Sequence, residues 1–132
     1  RRTLSSDEKR FIDCKISDNL LKSDLYRDAA CIFCYVSTSD EIGTAAILEQ
    51  ALTDGKTLCV PLCGRAGEMS ARRILSLDEL KSGAYGIPEP SSGAPEIPPD
   101  GISLVIVPAL SCDSLCSLQF QRSPAWLWRR LL

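Results

Sequence analysis

The sequence predicts a single α/β domain in which a mostly parallel sheet is flanked by helices. Residues 29–36 and 102–108 are dominated by apolar side chains, as expected of strands that are covered on both faces in a parallel sheet. A helical pattern separates the first of these runs from a second strand, residues 57–62. Strand, helix and strand in that order predict a βαβ unit with a right-handed crossover, and the whole pattern indicates Rossmann-like layering.

Local signals predict the helices. A first helix should begin at Ser5 or Ser6, because the acidic residues at positions 7 and 8 suit the positive end of the helix dipole, and it should end near residues 22–24. Its apolar residues recur at helical spacing: Phe11, Ile12, Ile16, Leu20 and Leu21. Thr44 should cap the second helix. The apolar face of that helix is formed by Ala46, Ile47, Ala51 and Leu52.

Prolines set several of the expected boundaries. Pro61 should close the second strand. Residues 69–75 predict a short strand, and residues 77–80 predict a short helical turn. The prolines between residues 83 and 100 disfavour both helix and strand. Residues 102–108 then form the clearest buried strand in the sequence.

Composition bounds the size of the domain and its partners. The chain has 132 residues, of which 45% are hydrophobic and 24% charged, and this suits one globular domain. The chain has a net charge of −2, whereas proteins that bind nucleic acid usually carry an excess of basic residues. No apolar run approaches the roughly 20 residues that cross a bilayer, and the first residues lack the apolar core of a signal peptide. We therefore expect a cytoplasmic monomer without a nucleic-acid or membrane partner.

Seven cysteines and the absence of histidine bear on disulfides and metal binding. The odd number argues against a secreted disulfide framework. Cys31 and Cys34 form a C-x-x-C motif, but residues three apart in a strand face opposite sides and cannot share a metal ion. We expect reduced, metal-free thiols, with an all-cysteine zinc site as the alternative.

The carboxyl ends of the predicted strands are the places where an open α/β sheet binds ligands. Residues 37–44, 61–67 and 108–113 follow those ends. The first segment contains Glu41 after a run of small hydroxyl residues. A solvated loop with a helix cap would have the same composition, so position alone leaves both interpretations open.

Five motifs within the first 113 residues occur in the order of one known family. They are Tyr35-Val36-Ser37 with Asp40-Glu41-Ile42-Gly43-Thr44; Ala51-Leu52 with Asp54-Gly55-Lys56; Val60-Pro61 followed by Met69; Tyr85-Gly86-Ile87-Pro88-Glu89-Pro90; and Val107-Pro108-Ala109-Leu110 with Asp113. Together they resemble the 5-formyltetrahydrofolate cyclo-ligase (methenyltetrahydrofolate synthetase) family. One such motif is a weak signal, but a collinear set with sensible spacing is a strong one.

The resemblance implies an ATP-dependent ring closure. ATP with Mg²⁺ would phosphorylate the formyl oxygen on N5 of the folate, N10 would attack the activated carbon, and phosphate would leave. By their positions in the motifs, Val36 and Glu41 would contact the folate, and Met69 and Tyr85 would flank the flat pterin ring. Glu89 would fix its own loop. No residue is assigned to a metal ion.

The sequence departs from the family at both ends. The basic segment through which the family contacts ATP has no counterpart at the start, and the glycine-rich phosphate loop expected after Asp113 is missing, since no glycine follows Gly101. We therefore divide the chain into a cyclo-ligase-like domain, residues 1–113, and an aberrant tail, residues 114–132, with the sheet truncated at its C-terminal end. A one-base shift of the reading frame would allow glycine at positions 126 and 128, which favours a disrupted gene.

Two other interpretations stay open. A non-catalytic folate-binding or interaction domain of the same fold would bind folate without using ATP. A different α/β enzyme that uses ATP or a sugar phosphate would need a phosphate loop of its own, for which residues 64–67 offer only a weak candidate.

Overall fold

The computed structural model describes residues 5–38, 41–64, 68–83 and 86–107, and the backbone of residues 111–112 and 118–119. Its helices are α1 (Ser6–Leu21), α2 (Asp24–Asp28) and α3 (Ala45–Thr53). Its strands are β1 (Cys31–Cys34), β2 (Thr57–Cys63), β3 (Met69–Ile74), β4 (Lys81–Ser82), β5 (Pro88–Glu89), β6 (Glu96–Ile97), β7 (Leu104–Ile106), β8 (Ser111–Cys112) and β9 (Leu118–Gln119). Short 3₁₀ turns occupy Leu77–Glu79 and Pro99–Gly101.

The main sheet has five strands in the order β6–β3–β2–β1–β7. β1 pairs in parallel with β2 and β7, whereas β3 pairs antiparallel with β2 and β6. The prediction of a mostly parallel sheet is therefore wrong, because the sheet is mixed. The cause is the short connection after β2, which returns the chain alongside that strand and permits only an antiparallel pair.

The predicted βαβ unit is confirmed. β1 and β2 lie in parallel with Phe33 opposite Cys59, and α3 connects them. Thr44 occupies the N-cap position of α3, but its side chain makes no capping hydrogen bond. The predicted N-cap residue is therefore confirmed, but its hydroxyl is engaged elsewhere.

Two apolar clusters lie on the two faces of the sheet. The helix-side cluster contains Ile32, Cys34 and Leu58, and the helices add Tyr26, Ile47, Leu48 and Ala51 to it. The opposite cluster contains Cys31, Phe33, Tyr35, Cys59 and Ala71. Cys31 and Cys34 therefore face opposite sides of the sheet, as predicted. The described cysteines that are free thiols are Cys14, Cys31, Cys34, Cys59 and Cys63.

α1 begins where the sequence predicts. The Ser5 hydroxyl accepts a hydrogen bond from the Glu8 N–H, and the Glu8 carboxylate accepts one from the Ser5 N–H, so the two residues satisfy each other's backbone donors. Leu20 packs against the helix-side cluster. Phe11 is 68% exposed and Ile16 is 41% exposed, so helical spacing correctly predicted the helix but not which of its apolar residues are buried.

Pro61 ends one pairing of β2 but not the strand. The Gly64 N–H donates to Glu68 O at 2.6 Å, so these two residues form a hydrogen-bonded pair at the turn between β2 and β3. Hydrogen-bonded and non-hydrogen-bonded pairs alternate along an antiparallel ladder. Pro61 and Ala71, three pairs further along, therefore form a non-hydrogen-bonded pair. The proline nitrogen therefore faces β1, whose pairing with β2 extends only to Cys59. β2 continues to Cys63 against β3, beyond the predicted end.

β7 is less buried than the sequence predicts. Its residues Leu104, Val105 and Ile106 are all half-buried, and within the described residues the strand pairs only with β1. Ser103 fixes its start, because the Ser103 hydroxyl accepts hydrogen bonds from the backbone N–H groups of Ala30 and Cys31. An apolar run thus identified the strand, but its burial depends on neighbours outside the run.

The rest of the described chain consists of short elements. β4 and β5 form a small hairpin, and β8 and β9 pair antiparallel in a separate two-stranded sheet. In the proline-rich segment the strands are only two residues long, as the prolines predict. Within the described ranges, no helix is long and apolar enough to cross a bilayer. The division of the chain at residue 113 stays a prediction.

Tyr26 joins α2 to the end of α3. Its hydroxyl donates to Asp54 Oδ2 at 2.6 Å, and Lys56 Nζ lies 4.8 Å from the centroid of the Tyr26 ring. Burial and the neighbouring Asp54 raise the pKa of the Tyr26 hydroxyl, so it stays a donor. The hydrogen bonds from Tyr26 and Gln50 lower the pKa of the Asp54 carboxyl below its ordinary value of 3.8.

We expect Tyr26→Phe to reduce the acid sensitivity of the fold. Because the folded-state pKa of Asp54 is lowered, its stabilising contribution is present above the unfolded pKa of 3.8 and is lost as pH falls through the folded value. Thermal unfolding followed from about pH 7 to about pH 2.5 should show a smaller loss of Tm in Tyr26→Phe than in the parent. In an Asp54→Asn background the tyrosine substitution should leave the pH profile unchanged. Identical profiles for parent and Tyr26→Phe would contradict this coupling.

Candidate active site at the carboxyl edge of the sheet

The carboxyl ends of β1, β2 and β7 lie at one edge of the sheet, because these strands run parallel. β3 begins at the same edge, where Met69 pairs with Cys63 at the end of β2. The β4–β5 hairpin also reaches this edge, since Glu89 Oε1 accepts a hydrogen bond from the Cys63 N–H at 3.2 Å. Several segments therefore converge where an open α/β sheet binds its ligands.

Glu41 is the carboxylate that follows β1. It is only 8% exposed, so a solvated loop is not its environment. Its Oε2 accepts a hydrogen bond from the Thr38 N–H at 2.8 Å, and its own N–H donates to Thr38 O at 3.2 Å. Among the described residues, none donates to Oε1. One carboxylate oxygen is thus fixed by the backbone of Thr38.

Ser37 and Thr44, here called the clamp, close the connection between β1 and α3. Ser37 N–H donates to Thr44 Oγ1 at 3.1 Å, and Thr44 N–H donates to Ser37 Oγ at 3.0 Å. The Thr44 hydroxyl donates in turn to Tyr35 O at 2.9 Å. Tyr35 contributes a further tie, because its hydroxyl donates to Ile42 O at 2.8 Å. The backbone on both sides of Glu41 is therefore hydrogen-bonded to the end of β1.

α1 packs against this connection at Gly43. A Cβ at that position would lie 3.0 Å from Asp13 Oδ2, an oxygen that also accepts a hydrogen bond from Lys9 Nζ at 2.6 Å. A larger residue at position 43 would push against α1. The Lys9–Asp13 ion pair compensates the charge of Asp13, which lies beside Gly43, two residues along the chain from Glu41.

Two of the predicted folate contacts lie at the same edge but on opposite faces of the sheet. Val36 packs against the helix-side cluster, and Met69 packs against the opposite cluster. The structure therefore brings Val36, Glu41 and Met69 to one edge rather than to one face. Tyr85 lies outside the described residues, and its place beside a pterin ring stays a prediction.

Cys63 is a residue of this edge that sequence reasoning missed. Burial, followed by the neighbouring Glu89 carboxylate, raises the pKa of the Cys63 thiol to about 11, so the thiol is neutral near pH 7 and a poor nucleophile. Glu89 was expected to fix its own loop, and its bond to the Cys63 N–H ties its hairpin to β2. The spacing of these residues gives no hint of the contact, because only the pairing of the strands creates it.

The arrangement can accept hydrogen bonds and contact a flat apolar ring. Glu41 Oε1 suits an N–H donor, and the half-buried side chains of Val36 and Met69 offer apolar surface. In the described part of the chain, no three or more His, Cys, Asp or Glu side chains are placed to hold a metal ion. Apart from the backbone of residues 118–119, the residues after Asp113, where the resemblance expects the phosphate loop, lie outside that part, so no nucleotide contact is assigned.

We expect Gly83→Ala to release Glu89 from Cys63. A Cβ at position 83 would overlap the Glu89 carboxylate, and moving that side chain leaves the Cys63 N–H without its acceptor, at a cost of roughly 1–3 kcal/mol in unfolding free energy. The Cys63 thiol should then be alkylated faster at about pH 8, because its pKa falls when the carboxylate moves away.

Gly93→Ala is the matched control, since a Cβ there would meet only Ser91 Oγ, at 3.9 Å. Tm and the rate of iodoacetamide labelling at Cys63 are the two measurements. Unchanged labelling in Gly83→Ala would show that Glu89 does not govern the thiol.

Comparisons with known proteins bear on the family and the fold of this chain. The model of the 5-formyltetrahydrofolate cyclo-ligase family matches residues 1–115. The structure is similar to that of 5,10-methenyltetrahydrofolate synthetase from Aquifex aeolicus, with a TM-score of 0.81 and 24% sequence identity over 97% of this chain and 63% of that one. A second similar structure is the 5,10-methenyltetrahydrofolate synthetase from Mycoplasma pneumoniae, with a TM-score of 0.61 and 15% identity over 85% of this chain and 58% of that one.

At these identities the two structures show the fold alone, and the chain spans about 60% of their length. No curated protein sequence matches significantly. The family match covers most of the sequence, including β1, Glu41 and the clamp. The chain therefore belongs to the 5-formyltetrahydrofolate cyclo-ligase family.

Proposed function

We propose that this chain binds 5-formyltetrahydrofolate at the carboxyl edge of its sheet and takes part in the ATP-dependent closure of that folate to 5,10-methenyltetrahydrofolate. The observation that carries the proposal is the Glu41 carboxylate. It lies within the range that matches the family, it is held by the Thr38 N–H through one oxygen, and its other oxygen accepts no bond from a described residue.

Ring closure needs an activated formyl group. The formyl oxygen on N5 belongs to an amide, and it leaves poorly until it carries a phosphoryl group, which ATP with Mg²⁺ supplies when bound. A bond then forms between N10 and the formyl carbon, the carbon–oxygen bond breaks, and inorganic phosphate leaves. Because N10 belongs to the same molecule, the protein contributes mainly by holding the folate in the reactive geometry.

The residues of the sheet edge suit this holding role. Glu41 Oε1 would accept a hydrogen bond from an N–H group of the reduced pterin, and a carboxylate acceptor makes a stronger bond than a neutral one. Val36 and Met69 would contact the ring system from the two faces of the sheet. Tyr85 would add an aromatic contact.

A second candidate function is a domain that binds folate without catalysis. It is favoured by Trp126 and Trp128, which stand where the resemblance calls for glycines, because backbone N–H groups of glycine-rich loops are what hold phosphates. Measuring folate binding with and without ATP separates the two functions. We further propose that the protein acts as a cytoplasmic monomer, in keeping with the small soluble folate it would bind.

We expect Glu41→Gln to weaken binding of 5-formyltetrahydrofolate by about 10- to 100-fold, the range that corresponds to losing a charged hydrogen-bond acceptor. Glutamine keeps the volume and an oxygen for the Thr38 N–H. Alanine would be a poorer choice, because Glu41 is buried and its removal would also release that backbone donor.

Isothermal titration calorimetry gives the Kd, and circular dichroism checks the fold. Glu49→Gln on the exposed face of α3 is the matched control, and its Kd should equal that of the parent. Equal Kd values for Glu41→Gln and the parent would remove Glu41 from the site.

We expect the 132-residue chain to form no methenyl product with ATP and Mg²⁺. Trp126 and Trp128 stand where the family resemblance calls for glycines, and their bulk would keep the backbone away from phosphates. A version whose reading frame is restored from codon 113 onward, with the downstream sequence included, should turn over. Comparable rates for both versions would show that the tail is a working variant of the site.

A further inference from the structure

We propose that Thr44 is a positioning residue, which holds the Glu41 carboxylate at the sheet edge by closing the connection between β1 and α3 onto the end of β1. Its expected effect on folate affinity rests on the function proposed above. Its effect on the position of Glu41 does not, because the contacts that produce it lie within the chain itself.

The hydroxyl of Thr44 is fully committed to the connection. It accepts the Ser37 N–H at 3.1 Å and donates to Tyr35 O at 2.9 Å, while the Thr44 N–H donates to Ser37 Oγ at 3.0 Å. Thr44 is 1% exposed, so water cannot replace these partners. The two residues of the clamp therefore hold the two ends of the segment 37–44 together through reciprocal hydrogen bonds.

A capping role does not account for this arrangement. A threonine at an N-cap ordinarily accepts a hydrogen bond from a backbone N–H in the first turn of its helix. Thr44 occupies that position but makes no such bond, and its hydroxyl is directed back to β1 instead. The side chain thus stabilises the connection rather than the start of α3.

Glu41 depends on the clamp through Thr38. The Thr38 N–H fixes Glu41 Oε2 at 2.8 Å, and Thr38 follows Ser37 directly. Opening the clamp would free the backbone on the N-terminal side of Thr38 and the C-terminal side of Glu41 together. The Tyr35 hydroxyl, bonded to Ile42 O, would then be the remaining described tie, and it does not reach Thr38.

The test compares Thr44→Val, which keeps the shape and removes the hydroxyl, with Thr44→Ser, which keeps the hydroxyl. Thr53→Val is the matched control, because the Thr53 hydroxyl makes only a local bond to Glu49 O at the far end of α3. The first readout is the hydrogen-exchange rate of the Thr38 amide by NMR. The second is the Kd for 5-formyltetrahydrofolate.

We expect Thr38 exchange to accelerate on the order of tenfold in Thr44→Val, and the Kd to rise by about the same factor, as the loss of one hydrogen-bonded tie implies. Thr44→Ser and Thr53→Val should match the parent in both. In a Glu41→Gln background, Thr44→Val should change the Kd little further, because both substitutions act through one carboxylate.

Unchanged Thr38 exchange in Thr44→Val would overturn the proposal. Faster exchange with an unchanged Kd would also overturn it where Glu41→Gln does weaken folate binding, since the clamp would then close the connection without positioning the carboxylate. If Glu41→Gln leaves the Kd unchanged as well, the proposed function fails instead. If Thr44→Val fails to fold, Ser37→Ala removes the other half of the clamp at a half-buried position and must give the same pair of effects. If the parent itself binds no folate, the proposed function fails, and the exchange rates still decide whether Thr44 holds Glu41.

Discussion

The parallel pairing of β1 between β2 and β7 is the constraint on which the candidate site depends. β1 is buried on both faces, with Ile32 and Cys34 under the helices and Phe33 on the opposite side, and the last three residues of the strand are fully inaccessible to solvent. A slip by one residue would exchange the two faces and move apolar side chains into the wrong cluster. The same register fixes where the chain leaves the sheet, and hence where the Glu41 connection begins.

The antiparallel pairing of β3 with β2 brings a second segment of the chain to the edge where the parallel strands end. Because the chain turns back immediately after Cys63, Met69 starts the next strand at the edge where β2 ends. Pro61 permits this arrangement, since its nitrogen faces the side on which β1 has stopped pairing. A ligand at the edge would therefore meet side chains from both faces of the sheet, Val36 from one and Met69 from the other.

The sequence was informative wherever a structural feature is determined by residues close together in the chain. The Ser5–Glu8 capping pair predicted the start of α1, and the apolar runs predicted β1 and its βαβ partner. It was less informative where a residue's role depends on its contacts with another element of the fold. The Thr44 hydroxyl looked like a helix cap because its acceptor, Tyr35 O, lies in the preceding strand. Pro61 looked like a strand end because its tolerance depends on which side of β2 its nitrogen faces. Glu41 was found through a family motif, but its burial follows only from the folding of the connection around it.

The burial of Glu41 suggests why the connection is so heavily tied. Moving a carboxylate away from water is unfavourable unless hydrogen bonds replace its hydration, and among the described residues the Thr38 N–H supplies one such bond to Glu41. Without the clamp, the side chain could swing into solvent and regain full hydration. With the clamp closed, the second oxygen is held at the sheet edge in a partly desolvated environment, where an incoming N–H donor binds more strongly than it would in water. Fixing the acceptor before the ligand arrives would also reduce the ordering that binding must accomplish, so on the proposed function the hydrogen bonds of Ser37, Thr44 and Tyr35 would contribute to recognition as well as to the stability of the connection.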